Sequence, residues 1–281
     1  MKLHSAAKFF DRDSVYDAYT GDYLFKGQFA SYDGSQPDGS HSRRRTVSVA
    51  PTVQSPDRSV VVVHGEKWIL GEFISDGFFD TPIRKTCSAK EVTDLFEFCT
   101  PGQAALGHPG ESEAYGQARY LKDTVNTPTN ANYSPQYEIS FGNSEAVPDD
   151  YFLRTDKSLY HVRTLNTALE GFIVATADVI ETTPHGENKF VTVSIAGEWD
   201  PIEETGGPGV LTTGILIYVY KLYEHATEAD PLNRAGDKTL IVAKSAVTPL
   251  AGSEVSIDDE PYRILTVQSF HDSWNLRVRR A

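Results

Sequence analysis

Apolar and polar positions alternate through most of the chain, in short runs of Val, Ile, Thr, Tyr and Phe bounded by Gly, Pro, Asn and Asp, which is the pattern of half-buried strands. Strands are predicted at 22–30, 46–50, 59–64, 67–74, 137–141, 158–165, 214–223, 239–244 and 262–268. The clearest hairpin joins 171–182 to 189–197 through a Pro- and Gly-containing turn at 183–188. One segment departs from this period. Ser88 with Glu91 three residues on has the form of a capping box, and Val92, Leu95, Phe96 and Cys99 follow at helical spacing before Pro101 and Gly102, predicting a helix over 88–99. Ala114, Ala118 and Leu121 share a helical face and predict a second, weaker helix over 112–122, with Gly116 against it. The expected fold is mainly β: tandem small β-barrel or sandwich modules with one or two short helices.

The strand pattern also repeats. VVVVHGEKWILGEF (60–73), YFLRTDKSLYHVRTL (151–165) and VSIDDEPYRILTV (255–267) each give a strand, a polar turn, then an aromatic residue followed by alternating aliphatics. The aromatic anchors are Trp68, Tyr160 and Tyr262. At a constant offset of 194 the strand at 22–30 falls on 216–224 and that at 46–50 on 240–244. Three modules of about 90 residues each follow, a length at the short end of the usual domain range. They are a β-barrel at 1–100 ending in helix 88–99, an acidic middle β-module at 101–200, and a C-terminal β-barrel at 201–281.

Charge sharpens this division. The chain has 281 residues and a net charge of −13, and Lys plus Arg against Asp plus Glu gives 12 against 14, 6 against 14, and 8 against 11 in successive thirds. The acidic balance argues against a nucleic-acid coat or a binder of anionic membranes. No apolar run reaches the length of about 18 residues that a membrane-spanning helix needs. On the predicted helix Cys87 and Cys99 would lie roughly 18 Å apart, too far to bridge. Two free thiols, no visible export signal and an unused Asn132-Tyr133-Ser134 sequon fit synthesis in a reducing cytoplasm.

Signatures of chemistry are sparse. There is no Gly-x-Ser-x-Gly, Gly-Lys-Ser/Thr phosphate loop, His-Glu-x-x-His or Cys-x-x-Cys, so no catalytic residue, cofactor or metal is expected. His64-Gly65-Glu66 and His185-Gly186-Glu187 fall in hairpin turns far from any third ligand. Asp11, Asp13 and Asp17 lack the glycine and distal glutamate of a calcium loop, and Asp258, Asp259 and Glu260 read as a turn. Glu203 and Glu204 are adjacent, so on a strand they point to opposite faces and make a poor catalytic pair. Tyr218 and Tyr220 share a strand face and read as core.

Surface features offer more. Arg43, Arg44 and Arg45 close a polar hairpin loop at 31–42 and suit an acidic surface or phosphate. Arg277, Arg279 and Arg280 lie on the last strand, with Leu276 and Val278 on its other face. Phe78 and Phe79 sit at a Gly-containing turn, a place for an interface or sugar platform. These eight residues are the candidate interface.

HGEKWILGEFISDG and IDDEPYRILTVQSFHDS resemble the hairpins of small β-barrels in tailed-bacteriophage head-tail joining proteins, a group that includes head-closure (stopper), tail-terminator and collar components. The resemblance covers 60–74 and 214–281 and is weak in the middle third. It implies a structural virion protein at the head-tail junction, made in the host bacterial cytoplasm and not an enzyme. Its partners would be itself, in a ring of six or twelve copies, and portal, adaptor or tail-tube proteins. DNA would pass through the channel without sequence-specific binding, the acidic middle third supplying a wall to which a polyanion does not adhere. The alternative is a carbohydrate- or receptor-binding β-sandwich protein with Trp68 or Phe78 in its platform.

Overall fold

The computed structural model describes residues 12–31, 44–78, 81–121, 136–148, 151–169, 171–180, 189–195, 199–200, 205–206, 210–218 and 237–281. Among these described residues it is mainly β, built of three closed six-stranded barrels and one short helix. The first barrel contains β1 (Asp13–Asp17), β2 (Tyr23–Ser31), β3 (Arg44–Val49), β4 (Val60–Val63), β5 (Glu66–Leu70) and β7 (Thr81–Glu91), with β6 (Ile74–Phe78) on the outer half of β7. The second contains β8 (Asp94–Cys99), β9 (Ser112–Tyr120), β10 (Gln136–Gly142), β11 (Phe152–Arg154), β12 (Leu159–Leu169) and β13 (Phe172–Ile180). The third contains β14 (Lys189–Ile195), β17 (Val210–Tyr218), β18 (Lys238–Ala243), β19 (Glu254–Ile257), β20 (Glu260–Phe270) and β21 (Ser273–Arg280); β15 (Trp199–Asp200) and β16 (Thr205–Gly206) pair separately.

All three barrels have one topology. In each, the first strand lies between the second and fourth, and the sixth between the third and fifth. The three segments with a shared sequence pattern are the hairpins of the fourth and fifth strands, in one register. Trp68 pairs with Val61, Tyr160 with Leu153, and Tyr262 with Val255. The anchors fill their own barrels, at 1%, 6% and 5% exposure. Tight turns hold the outer two hairpins. His64 and Gly65, and likewise Asp258 and Asp259, both have positive φ, which sets the two-residue turn whose twist matches the strands.

Two residues beyond each anchor the fifth strand gains one residue over the sixth. Val162 faces Ala177 but Thr164 faces Thr176; Ile264 faces Val278 but Thr266 faces Arg277. In the first barrel Leu70 faces Ala89 and Ile74 faces Thr86, so β6 is the continuation of β5 past the same bulge.

The predicted helix over 88–99 is not formed: its residues end β7 and form β8, and Ser88 is mid-strand. Phe96 and Phe98 point into the second barrel while Cys99 is buried on the outside, so a strand with both faces covered imitates helical spacing. The predicted helix over 112–122 is β9, whose Gly116 admits the rings of Phe96 and Phe141. The helix that does form, α1 (Pro101–Leu106), begins where a helix was expected to stop. Thr100 caps it, Gln103 returns a bond to the Thr100 N–H, and Pro101 occupies its first turn. The offset of 194 carries the bounds of β3 onto those of β18 but not its faces, since it sets the inward Val47 on the outward Ile241, whose structural equivalent is Ser48; nor does it bring β2 (Tyr23–Ser31) onto β17 (Val210–Tyr218). Strands of the middle barrel run from Asp94 to Ile180, so they cross the expected boundary at residue 100 and stop short of that at 200.

Candidate assembly interfaces

Of the eight candidate interface residues, the six that are described are dispersed. Arg43 and Phe79 lie outside the described residues, as do Asp11, His185, Glu187, Glu203, Glu204, Tyr220 and the loop at 32–43. Phe78 ends β6 opposite Thr81. Arg44 starts β3, its Nε buried with no hydrogen-bond partner among the described residues. Arg45 is used inside its own barrel, its guanidinium 4.7 Å from the centre of the Trp68 ring and 3.9 Å from the Glu66 carboxylate. Leu276 and Val278 are fully buried inside and Arg277 and Arg279 share the outer face as expected, but Arg280, expected with them, has the parity of Val278 and pairs with the inward Tyr262. Arg277 and Arg279 do not wait on a partner, however: both donate to the buried Asp237 carboxylate, at 2.7 to 3.1 Å, and Arg280 reaches Glu260 at 2.9 Å.

The acidic motifs are turns and braces. Asp13 accepts from the Phe29 N–H and lies 2.8 Å from His64 Nε2; Asp17 accepts from the N–H groups of Tyr19 and Thr20. Asp258 accepts from the Thr192 N–H and from Lys189. Among the described residues no group of three His, Cys, Asp or Glu is placed to hold a metal ion. Cys87 lies in the first barrel's core, where burial pushes its pKa up to about 12, and Cys99 lies in a separate cluster; both are free.

What the strands build instead is a pair of junctions between successive barrels. At the first, Val60 and Ile69 of barrel one meet Phe172 and Val174 of barrel two, with Tyr19 and Val92 at the edge. Ser59 bonds Asn143 and Ser144, and Tyr19 donates to Glu145. Lys90 is buried, donates to Ser140 at 2.7 Å, and lies 4.6 Å from the Phe172 ring centre and 3.9 Å from Glu138. Two glycines permit the approach. A Cβ at Gly142 would lie 2.3 Å from the Ser59 Cβ, and one at Gly171 would lie 2.2 Å from the Glu72 amide nitrogen.

At the second junction Cys99, Ala104, Ala105, Phe152, Leu159 and Ile180 of barrel two meet Ile215, Ile217 and Ile241 of barrel three. Asp272, at the tip of the β20–β21 hairpin, accepts from the Thr100 hydroxyl at 2.5 Å and the Gly102 N–H at 2.9 Å. A cleft beside it is lined by Gln103, Leu106, His108 and Lys244. Both Asp272 oxygens are already engaged there.

The two junctions use equivalent positions. Val60 and Phe152 each precede the partner of the aromatic anchor, and Ile69 and His161 each follow the anchor. Ser140 and Ile241 both lie on the third strand, facing Val174 and Asn275 of the sixth. Barrel two therefore sits on barrel one as barrel three sits on barrel two, a head-to-tail contact made twice. Opposite Ile69, His161 and Arg263 the sixth strand carries Lys90, Asp178 and Arg279, each with a countercharge within the chain. Beside the second junction the pair is placed awkwardly, Asp178 being buried and His161 partly so. Asp178 is bound by Arg163, yet its other oxygen and His161 Nδ1 have no partner among the described residues. Burial, with Arg163 nearby, pushes the His161 pKa down to about 4, whereas burial raises that of Asp178 against the pull of Arg163.

A signal for these junctions exists in the sequence. VVVV (60–63), FIVA (172–175), ILI (215–217) and LIVA (240–243) are continuous apolar runs, the mark of strands covered on both faces. No family model matches the chain, and no curated protein or solved structure is significantly similar to it.

Proposed function

We propose that this chain is a structural virion protein of a tailed bacteriophage, forming a ring in the head-tail connector or neck around the DNA channel. The observation that carries the reading is the threefold use of one closed barrel, each with an aromatic-anchored hairpin, the outer two being those on which the resemblance rests, stacked head to tail in a single chain. Rigid stacked barrels suit a wall component, and a net charge of −13 suits a wall past which DNA slides. Portal, adaptor or tail-tube proteins are the proposed neighbours. Arg277 and Arg279 are held by Asp237, so their part in docking is to present a fixed, partly neutralised face.

The reading as a carbohydrate- or receptor-binding protein rests on a different observation. Trp68 is buried and is no platform, but Tyr16 and Tyr23 form an exposed edge-to-face pair with ring centres 5.9 Å apart. Electron microscopy of the purified chain, alone and with portal particles of the same phage, tests the connector. Closed rings of six or twelve copies that dock on the portal are expected. A glycan-array signal lost on Tyr23→Ala, with no docking on the portal, would replace the connector with the binding protein.

A further inference from the structure

Two repeated junctions leave one donor face and one acceptor face unused. The donor face is on barrel one, where the third and sixth strands present Ser48 and Thr86 in place of Ser140 with Val174, or Ile241 with Asn275. Two residues before Thr86, Val174 and Asn275 stand Arg84, Phe172 and Ser273; three residues before them stand Ile83, Gly171 and Asp272. Gly171 and Asp272 are the tip residues that seat each barrel on the one before it. Ile83, their counterpart, is exposed, as is Ile74 on the same hairpin.

The acceptor face is on barrel three. Glu254 stands where Val60 and Phe152 receive the previous contacts, and Arg263 where Ile69 and His161 stand. Both are exposed, and they face each other across the β19–β20 pair. Leu250 is exposed in the turn just before them.

The charges at the two open ends match. In the first junction Phe172 packs on Val60 and Ile69. The same geometry sets Arg84 against Glu254. Asp76, cross-strand from Arg84 and 3.0 Å from it, is the carboxylate that the same face offers to Arg263. Arg84 and Asp76 are roughly half exposed, at 47% and 45%, so both are open to a partner.

We propose that the chain binds a second copy of itself head to tail, the β6–β7 hairpin of one copy docking on the Glu254–Arg263 face of the next copy's third barrel. The contact continues the two internal junctions with ion pairs in place of apolar packing, so it is the weakest of the three and is sensitive to salt. A heterologous contact of this kind builds a ring when its rotation closes and a filament otherwise. The proposal takes its biological use from the ring reading above and its geometry from the junctions alone.

Sedimentation velocity of the full chain over a concentration series tests it, with Arg84→Glu, Glu254→Arg and the double variant. Both positions are exposed, so circular dichroism should report unchanged folding. Wild type is expected to associate at low salt and to dissociate in 1 M NaCl, where the screening length is about 3 Å. Either single reversal is expected to weaken association at least tenfold. The double variant, or an equimolar mixture of the two singles, is expected to restore it. Association unaffected by the single reversals, no rescue in the double variant, or wild type monomeric up to about 100 µM, where a contact of Kd near 100 µM would show, overturns the proposal. Rings that form regardless of these variants would sink this interface and leave the connector reading standing; head-to-tail association without docking on a portal would do the reverse.

Discussion

The two junctions share their geometry and differ in chemistry. The first is built around a buried lysine, with Ser59, Tyr19 and Glu145 bonding across it and Phe172, Val174 and the partly buried Tyr115 entering from the second barrel. The second is aliphatic, with three isoleucines from the third barrel on Phe152, Leu159 and Ile180, and Asp272 bonding at its rim. Barrel topology therefore sets where neighbours touch, while the residues there are free to vary between hydrogen bonds and apolar area. The apolar junction should supply more strength, at about 1.5 to 3 kcal/mol for each fully buried isoleucine. The polar one should supply register, since its donors and acceptors are satisfied in one alignment.

The largest effect should come from placing a charge in the apolar junction. Ile241→Asp buries a carboxylate among Ile215, Ile217 and Ile180 and is expected to cost about 4 kcal/mol or more. Urea unfolding should then show barrel three melting in its own earlier transition. Ser48→Asp, at the equivalent position on the open face of barrel one, is expected to change stability by no more than about 0.5 kcal/mol. Equal losses at the two sites would erase the distinction between junction and open face.

At the polar junction the same logic is tested by removing a charge. Lys90→Ala strands the Ser140 hydroxyl and Glu138 and opens a cavity beside Phe172, with an expected cost of about 3 kcal/mol. Lys90→Met keeps the stem and discards the buried ammonium, so a loss within about 1 kcal/mol is expected. Comparable losses for the two variants would mean that the charge itself, not the packing around it, holds the first two barrels together.

How much of this was legible in the sequence depends on whether the cause was local. The hairpins were readable because alternation around Trp68, Tyr160 and Tyr262 and the turn residues His64-Gly65 and Asp258-Asp259 act within a few residues of each other. The helix over 88–99 failed because Val92 packs at the first junction, Phe96 inside the second barrel and Cys99 outside it, so separate strand faces summed to a helical period. For the same reason Thr100-Pro101-Gly102-Gln103 read as a stop although it carries a capping box. Lys90 and Asp272 gave no signal, since their partners, Ser140 and Thr100, are 50 and 172 residues away and only the register brings them together. Arg277 and Arg279 were correctly placed on one face, but their partner Asp237 is 40 and 42 residues away.

Acid should discriminate between the junctions, because among the described residues His161, with its Nδ1 buried, stands beside Phe152 of the second. His161 has its pKa lowered to about 4 in the fold against 6.5 when free, so below pH 6.5 the unfolded chain takes up a proton that the folded chain refuses. Stability from this group is complete above pH 6.5 and falls as pH drops toward 4. Between pH 7.5 and pH 5 the loss is expected to be about 2 kcal/mol. Asp178, raised by burial, acts with the opposite sign above its ordinary value of 3.8 and softens the loss in the lower part of the window. Urea midpoints at the two pH values, for wild type and His161→Phe, measure it: the difference should shrink in the variant. A difference that survives intact would place the acid sensitivity elsewhere.

The smallest effect concerns the rim of the same junction. Asp272→Asn keeps an oxygen for the Gly102 N–H and turns an amide toward Thr100, whose hydroxyl oxygen can accept from it while its proton seeks another acceptor. What is lost is the charge assistance of two bonds, which are roughly twice as strong to a carboxylate as to a neutral oxygen. The expected cost is about 1 kcal/mol, against about 2 kcal/mol for Asp272→Ala, which leaves the Gly102 N–H and the Thr100 hydroxyl without their acceptor. Thermal unfolding of the two variants beside wild type resolves this order. If Asp272→Ala cost no more than Asp272→Asn, the apolar surface of Ile215, Ile217 and Ile241 would be sufficient to seat barrel three, and the hairpin tip would be a bystander at this junction.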